Sequence, residues 1–175
     1  MIPMGMGDRL PTSRAGQAGL FFGIAALVVV LDQITKGILR TLLDQGDEWP
    51  EGWPIKLVHV TNSGAAFGVL EGQTLFLIFT SVIAIGTIAF YYLYPPAEHL
   101  MVKVALGLLL GGAIGNLIGR VTEGEVVDFI KFPNFPAWNV ADASISIGVA
   151  LLFAFSLLAE RQEAREHREE ASSEG

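Results

Sequence analysis

"LFLIFTSVIAIGTIAFYYLY", residues 75–94, contains no ionisable side chain except its tyrosines. At about 1.5 Å of helical rise per residue, a run of this length crosses a hydrocarbon core of about 30 Å. Three further apolar runs lie on either side of it. Residues 15–36 end in the polar "DQITK", residues 100–118 carry Lys103 near their start and Asn116 near their end, and residues 140–159 are interrupted by Asp142 alone. The chain has 175 residues, of which 51% are hydrophobic and 17% charged, against about 25% charged in soluble domains. Four runs of spanning length cannot all be core helices of so small a soluble fold. The expectation is an all-α integral membrane protein, a single domain of four transmembrane helices.

Lysine and arginine beside the spans set the orientation. Arg9 and Arg14 precede the first run, and Arg161, Arg165 and Arg168 follow the last, so both termini are expected in the cytoplasm with the tail 160–175. Arg40, Lys56, Arg120 and Lys131 then fall outside and dilute the bias. The first run lacks a small-x-small cleavage site before polar residues and is followed by three more spans, so it reads as a retained helix rather than a signal peptide. Segments 41–73 and 120–139 become extracytoplasmic, and "PPAEH" is a tight turn on the inner side. Within 41–73, "IKLVHV" is β-branched and "TNSGAAFG" is turn-rich, which predicts a small β-rich segment between helices 1 and 2. Trp49 and Trp53 suit the membrane interface. The net charge of −7 is concentrated in "DQGDEWPEG" and the tail, and excludes nucleic acid as a partner. There is no cysteine, hence no disulfide framework and no thiol nucleophile.

Gly107, Gly111, Gly115 and Gly119 recur every fourth residue, a stripe that admits a neighbouring backbone closely. Gly112, Asn116 and Arg120 form a second line beside it. The glycines are read as packing. Asn116 serves either as interhelical glue or, next to Arg120, as a positioning group.

Ionisable residues within spans are rare and usually mark function. Asp32 and Lys36 share a helical face in the favourable order for an ion pair, structural or functional alike. Asp128 and Asp142 flank a Pro-x-x-Pro break, since Pro133 and Pro136 stop any continuous helix and let the chain fold back. Two carboxyls brought together share a proton, one activating water and the other polarising a carbonyl. Spacing alone leaves structural and ion-path readings open beside this one.

The ordered blocks "DQITK" (32–36), "TNSGAAFG" (61–68), "GGAIGNLIGR" (111–120), "VVDFI" (126–130) and "WNVADASI" (138–145) resemble the bacterial lipoprotein signal peptidases, the signal peptidase II family. The resemblance spans all four runs and both outer segments. It implies an aspartic endopeptidase of the bacterial inner membrane that cleaves prolipoproteins just before the diacylglyceryl-modified cysteine. No metal or other cofactor is implied. Asp128 and Asp142 align with the family's catalytic aspartates. Asn62, Asn116, Arg120 and Asn139 align with its polar active-site residues, and Asp32 with the acidic position on its first helix, where Lys36 is the neighbouring support. Asn62 and Asn116 are placed to hold the scissile backbone, and Arg120 a lipid ester or neighbouring carboxylate. The implied partners are lipidated prolipoproteins and membrane lipid. A monomer is the default expectation.

One departure stands out: where the family reads GN-x-x-D-R, this chain has Gly119 before Arg120. That motivates the alternative of a catalytically impaired, lipoprotein-binding paralogue. From another class, a small proton- or ion-coupled protein would use Asp32, Lys36 and Asp142 as a relay. A serine peptidase built on Ser63 and His59 is disfavoured, because neither residue lies on a span.

Overall fold

The computed structural model describes residues 13–64, 70–95, 97 and 99–173. Four helices dominate it: α1 (Arg14–Leu42), α2 (Thr74–Leu93), α3 (Leu100–Thr122) and α4 (Val140–Ser173). Each is long and apolar enough to cross a membrane. Ser13 caps α1 by accepting the Gly16 N–H at 3.0 Å, and the His99 ring accepts the Met101 N–H at the start of α3. Of the residues expected in outer turns and termini, Arg9, residues 65–68, Pro96, Glu98 and the last two positions lie outside the described residues.

α3 is the central helix, packed against α1, α2 and α4. Its glycines explain why. A Cβ at Gly111 would lie 2.6 Å from the Val28 Cβ and 2.7 Å from the Ala25 carbonyl oxygen of α1. At Gly112 it would lie 2.5 Å from the Ala141 carbonyl oxygen of α4. The stripe therefore works on two helices at once, with Gly107 and Gly111 on α1, Gly112 on α4 and Gly115 touching both. Gly119 departs from the helix-contact expectation. Its near neighbour is the Glu125 carbonyl, 2.9 Å from the Cβ position, in the turn that leads into the sheet.

Toward the end of the bundle away from the sheet, Phe21, Ala25, Ile88, Val102, Leu106, Leu110 and Ala113 form the buried core. Phe21 stacks on Tyr92, whose ring also faces the buried Lys103 ammonium.

The segments that precede α2 and follow α3 join in one antiparallel sheet of order β1-β2-β3: β1 (Glu48–Trp49), β2 (Lys56–Asn62) and β3 (Val126–Lys131). The expected β-rich segment is there, and it gains a partner strand from the segment after α3 that no sequence signal announces. The run "VVDFIK" shows no in–out alternation, because its first four residues are buried on both faces, and its partner lies far away in sequence. Asp128 pairs with Val60, Thr61 with Val127 and Asn62 with Val126, after a register shift between Leu57 and Val60. Glu48 ties the strands together, bonding Lys56 and Lys131 at 2.5 Å each. Those two ammonium groups hold its carboxyl down at about 2. The tail continues α4 as helix to Ser173.

Candidate active site

The loop after β3 turns back at Pro133 and Pro136, and Trp138 bridges to Ile130, so the chain re-enters the bundle beside the strand it has just left. Asn139 then starts α4. Its Oδ1 accepts the Asp142 N–H at 2.9 Å, and its own N–H donates to Asp142 Oδ2 at 3.2 Å. This is a reciprocal capping box built from Asn and Asp. Asp142 thus has a local structural reason that its spacing alone does not supply, and the signal is in view as N-x-x-D.

Asn139 is fully buried and its Nδ2 reaches across to Asp128 Oδ1 at 2.7 Å. One residue therefore contacts both carboxylates. Asn62, at the end of β2, donates to Asp128 Oδ2 at 3.0 Å, while its own Oδ1 receives the Gly64 N–H. Asn116 on α3 donates to Asp142 Oδ1 at 2.7 Å, and its Oδ1 accepts from Asn139 at 3.2 Å and from Lys36 at 3.1 Å. Each carboxylate is held by two fixed donors, which orients the pair without neutralising it.

Burial pushes the Asp128 carboxyl up to about 6, the nearby Asp142 charge adds to the rise, and the Asn62 and Asn139 hydrogen bonds oppose it. Asp128 is 3% exposed.

Asp32 and Lys36 pair at 2.7 Å, both buried. The pair is not confined to α1: Asp32 Oδ1 accepts the Ala141 N–H of α4 at 3.0 Å, and Lys36 continues to Asn116. Gln33, which carries no sequence signal of its own, bonds both Asp32 Oδ2 and the Gly115 carbonyl. Arg120 makes no ion pair among the described residues. Its guanidinium reaches the Gly64 carbonyl at 3.3 Å, and its buried Nε has no partner. His59 is engaged by the Leu43 carbonyl, not by Ser63. No group of three or more His, Cys, Asp or Glu side chains gathers as a metal site among the described residues.

A cavity of about 530 Å³ opens onto this cluster. Asn62, Asn116, Arg120, Asp128 and Asp142 line its polar side, and Phe135, Trp138, Ile145 and Ile147 its apolar side. Asp32, Lys36 and Asn139 lie behind that wall, supporting the residues that form it. The candidate site residues named from the sequence thus all fall in one connected assembly at the junction of sheet and bundle.

Four helices apolar enough to span a membrane bring a carboxylate pair together beneath a small sheet, an arrangement suited to a membrane-embedded hydrolase. A family model described as Signal peptidase (SPase) II matches residues 24–158. A lipoprotein signal peptidase of Symbiobacterium thermophilum is 39% identical over 146 residues, covering 79% of this chain and 95% of the relative. One from Halalkalibacterium halodurans is 41% identical over 154 residues, covering 84% and 97%. A solved bacterial membrane enzyme, determined by the in meso method, superposes with a TM-score of 0.76 at 36% identity, covering 82% of this chain and 90% of that one. The chain belongs to the signal peptidase II family. It is a bacterial membrane peptidase that processes lipoproteins.

Proposed function

We propose that the chain is an aspartic endopeptidase in which Asp128 and Asp142 form the catalytic dyad, cutting prolipoproteins just before the diacylglyceryl-modified cysteine. The observation that carries this reading is Asn139, behind the wall of a partly apolar cavity, touching both carboxylates that line it. A pair sharing one proton keeps an anion to take a proton from water and an acid to polarise the scissile carbonyl, then to protonate the leaving amine. Fixed amide donors hold both in place without reorganising during the reaction. Asn62 and Asn116 orient the dyad from either side. Arg120, whose Nε is unengaged, offers a donor to a substrate carbonyl. Asp32 and Lys36 act from behind through Asn116 and the α4 N-terminus.

The apolar wall of Ile145 and Ile147 lies on the lipid-facing helix α4 and suits a substrate tethered by acyl chains. Arg14 at one end of the bundle and Arg161, Arg165 and Arg168 at the same end favour the cytoplasm there, which supports an extracytoplasmic cavity at the inner membrane. Purified protein in lipid nanodiscs, given a dipalmitoylglyceryl-modified prolipoprotein peptide, should release the signal peptide with the cysteine as the new N-terminus. Binding without cleavage would instead support the impaired paralogue, for which Gly119 is the one motive.

A further inference from the structure

Among the described side chains, serine and threonine hydroxyls on these helices follow a rule with two exceptions. Thr35, Thr41, Thr80, Ser81, Thr87, Thr122, Ser144 and Ser172 each donate to a carbonyl of their own helix, and Thr74 donates to Gly124. Ser146 and Ser156 make no hydrogen bond among the described residues. Ser156 lies near the far end of the α4 span. Ser146 lines the active-site cavity. Both are exposed, so neither hydroxyl is buried against protein, and Ser146 alone faces a cavity from which a partner can arrive.

The position of Ser146 indicates that partner. It follows Asp142 by four residues on the same helical face, about 6 Å deeper into the membrane. Ile145 and Ile147 flank it, so its surroundings are apolar. Gly112 lets α4 approach α3 closely at Ile145, which fixes the rotation of this face.

The substrate brings few unpaired acceptors to that depth. A signal-peptide helix satisfies its own backbone groups, and acyl chains carry no polar atom. The ester carbonyls of the diacylglyceryl group are the exception. From the cysteine Cα the path runs through Cβ, sulfur, two glycerol carbons and the ester oxygen to the carbonyl carbon. At single-bond lengths of about 1.5 Å in a zigzag this reaches about 7 Å. A cysteine seated beside the dyad therefore delivers an ester carbonyl to the depth of Ser146.

We propose that Ser146 is a specificity-determining residue whose hydroxyl donates to an ester carbonyl of the substrate's diacylglyceryl group. This rests on the peptidase reading above and adds a polar recognition point to a groove that is otherwise apolar on that side.

The test compares two matched peptides, one carrying the diester lipid and one a diether of equal chain length that lacks the carbonyls. Wild type, Ser146→Ala and Ser146→Thr are assayed on both in nanodiscs. Wild type should favour the diester in kcat/KM by about three- to ten-fold, the weight of one hydrogen bond. Ser146→Ala should cleave the diester at the wild type's diether rate and lose nothing more on the diether. Ser146→Thr should keep the preference. An alanine variant that retains the full preference, that is unchanged on both peptides, or that slows equally on both overturns the assignment while leaving the peptidase reading intact. A wild type that cleaves neither peptide removes that reading, and the assignment with it.

Discussion

Asn139 and Asp142 bind each other twice, Oδ1 to N–H at 2.9 Å and N–H to Oδ2 at 3.2 Å, while the same Asn139 side chain holds Asp128 at 2.7 Å. Helix initiation and the holding of both carboxylates therefore share one residue. The two roles separate on substitution. Serine is as good an N-cap as asparagine but cannot reach Asp128, whereas alanine does neither and loses about 1 kcal/mol of capping. Asn139→Ser should melt above Asn139→Ala, yet both should lose at least ten-fold in cleavage. Equal activity of Asn139→Ser and wild type would show that the bridge to Asp128 is dispensable.

The dyad itself is tested by non-additivity. If Asp128 and Asp142 serve one acid–base cycle, removing either removes the cycle. Asp128→Asn, Asp142→Asn and the double variant should each fall by at least about 10³-fold, a scale set by catalytic groups that act as a unit. Substrate binding, dominated by acyl chains, should shift far less. A single variant within ten-fold of wild type would leave the pair a structural role only.

Asp128 also makes stability depend on pH. Its carboxyl rises from 3.8 unfolded to about 6 folded, so the native state binds the extra proton in that window. The resulting stabilisation is full below about pH 4 and is lost as pH rises through about 6. Wild type should therefore gain stability relative to Asp128→Asn as pH falls from 7 to 4. The gain should be roughly 1–3 kcal/mol, since each tenfold difference in proton affinity between the two states is worth about 1.4 kcal/mol. Thermal melts of both proteins across that range check it. Parallel curves would mean that Asp128 titrates as it does in the unfolded chain.

Much of this was legible in the chain because the bilayer imposes a simple code. Residues 75–94 cannot be anything but a span, and Asp128 and Asp142 draw notice because charge is scarce around them. What stayed hidden depends on contacts that sequence order does not carry. β3 gives no strand signal because "VVDFIK" is buried on both faces and pairs with a strand more than sixty residues away. Gly119 fits the four-residue stripe perfectly, yet it serves a carbonyl in its own following turn, since the helix ends there. Ser146 stands out in the sequence only as the polar residue one turn after Asp142, because a serine on an apolar helix ordinarily bonds back to its own backbone.

Gly119 yields its own prediction. Any Cβ there meets the Glu125 carbonyl at 2.9 Å, a backbone atom that moves only with the turn into β3. Gly119→Leu should destabilise by about 1–3 kcal/mol, the usual range for overpacking. Gly119→Asp bears the same Cβ contact but sets a carboxylate beside Arg120, whose Nε lacks a partner. It should melt above Gly119→Leu. The reverse order would mean that the turn yields freely and side-chain bulk is not what matters.

Asp32 and Lys36 separate stability from catalysis most cleanly. Both are buried, so removing one leaves an uncompensated charge, at about 3–5 kcal/mol. Lys36→Met should therefore fold poorly, and Asp32→Leu likewise, with the latter also freeing the Ala141 N–H. Replacing both removes the unpaired charge, so the double variant should recover much of the lost stability. Activity should not return with it. Lys36 is the cation on Asn116 Oδ1, and that bond, together with Asn139, fixes which face of the amide meets Asp142 at 2.7 Å. Without Lys36 the amide has less reason to keep its donor toward the carboxylate. Melting temperature and cleavage rate measured on the two single variants and the double one form a complete cycle. Stability restored with activity still at least ten-fold down would mark the pair as positioning residues. Full recovery of both would reduce it to an ion pair that merely joins α1 to its neighbours.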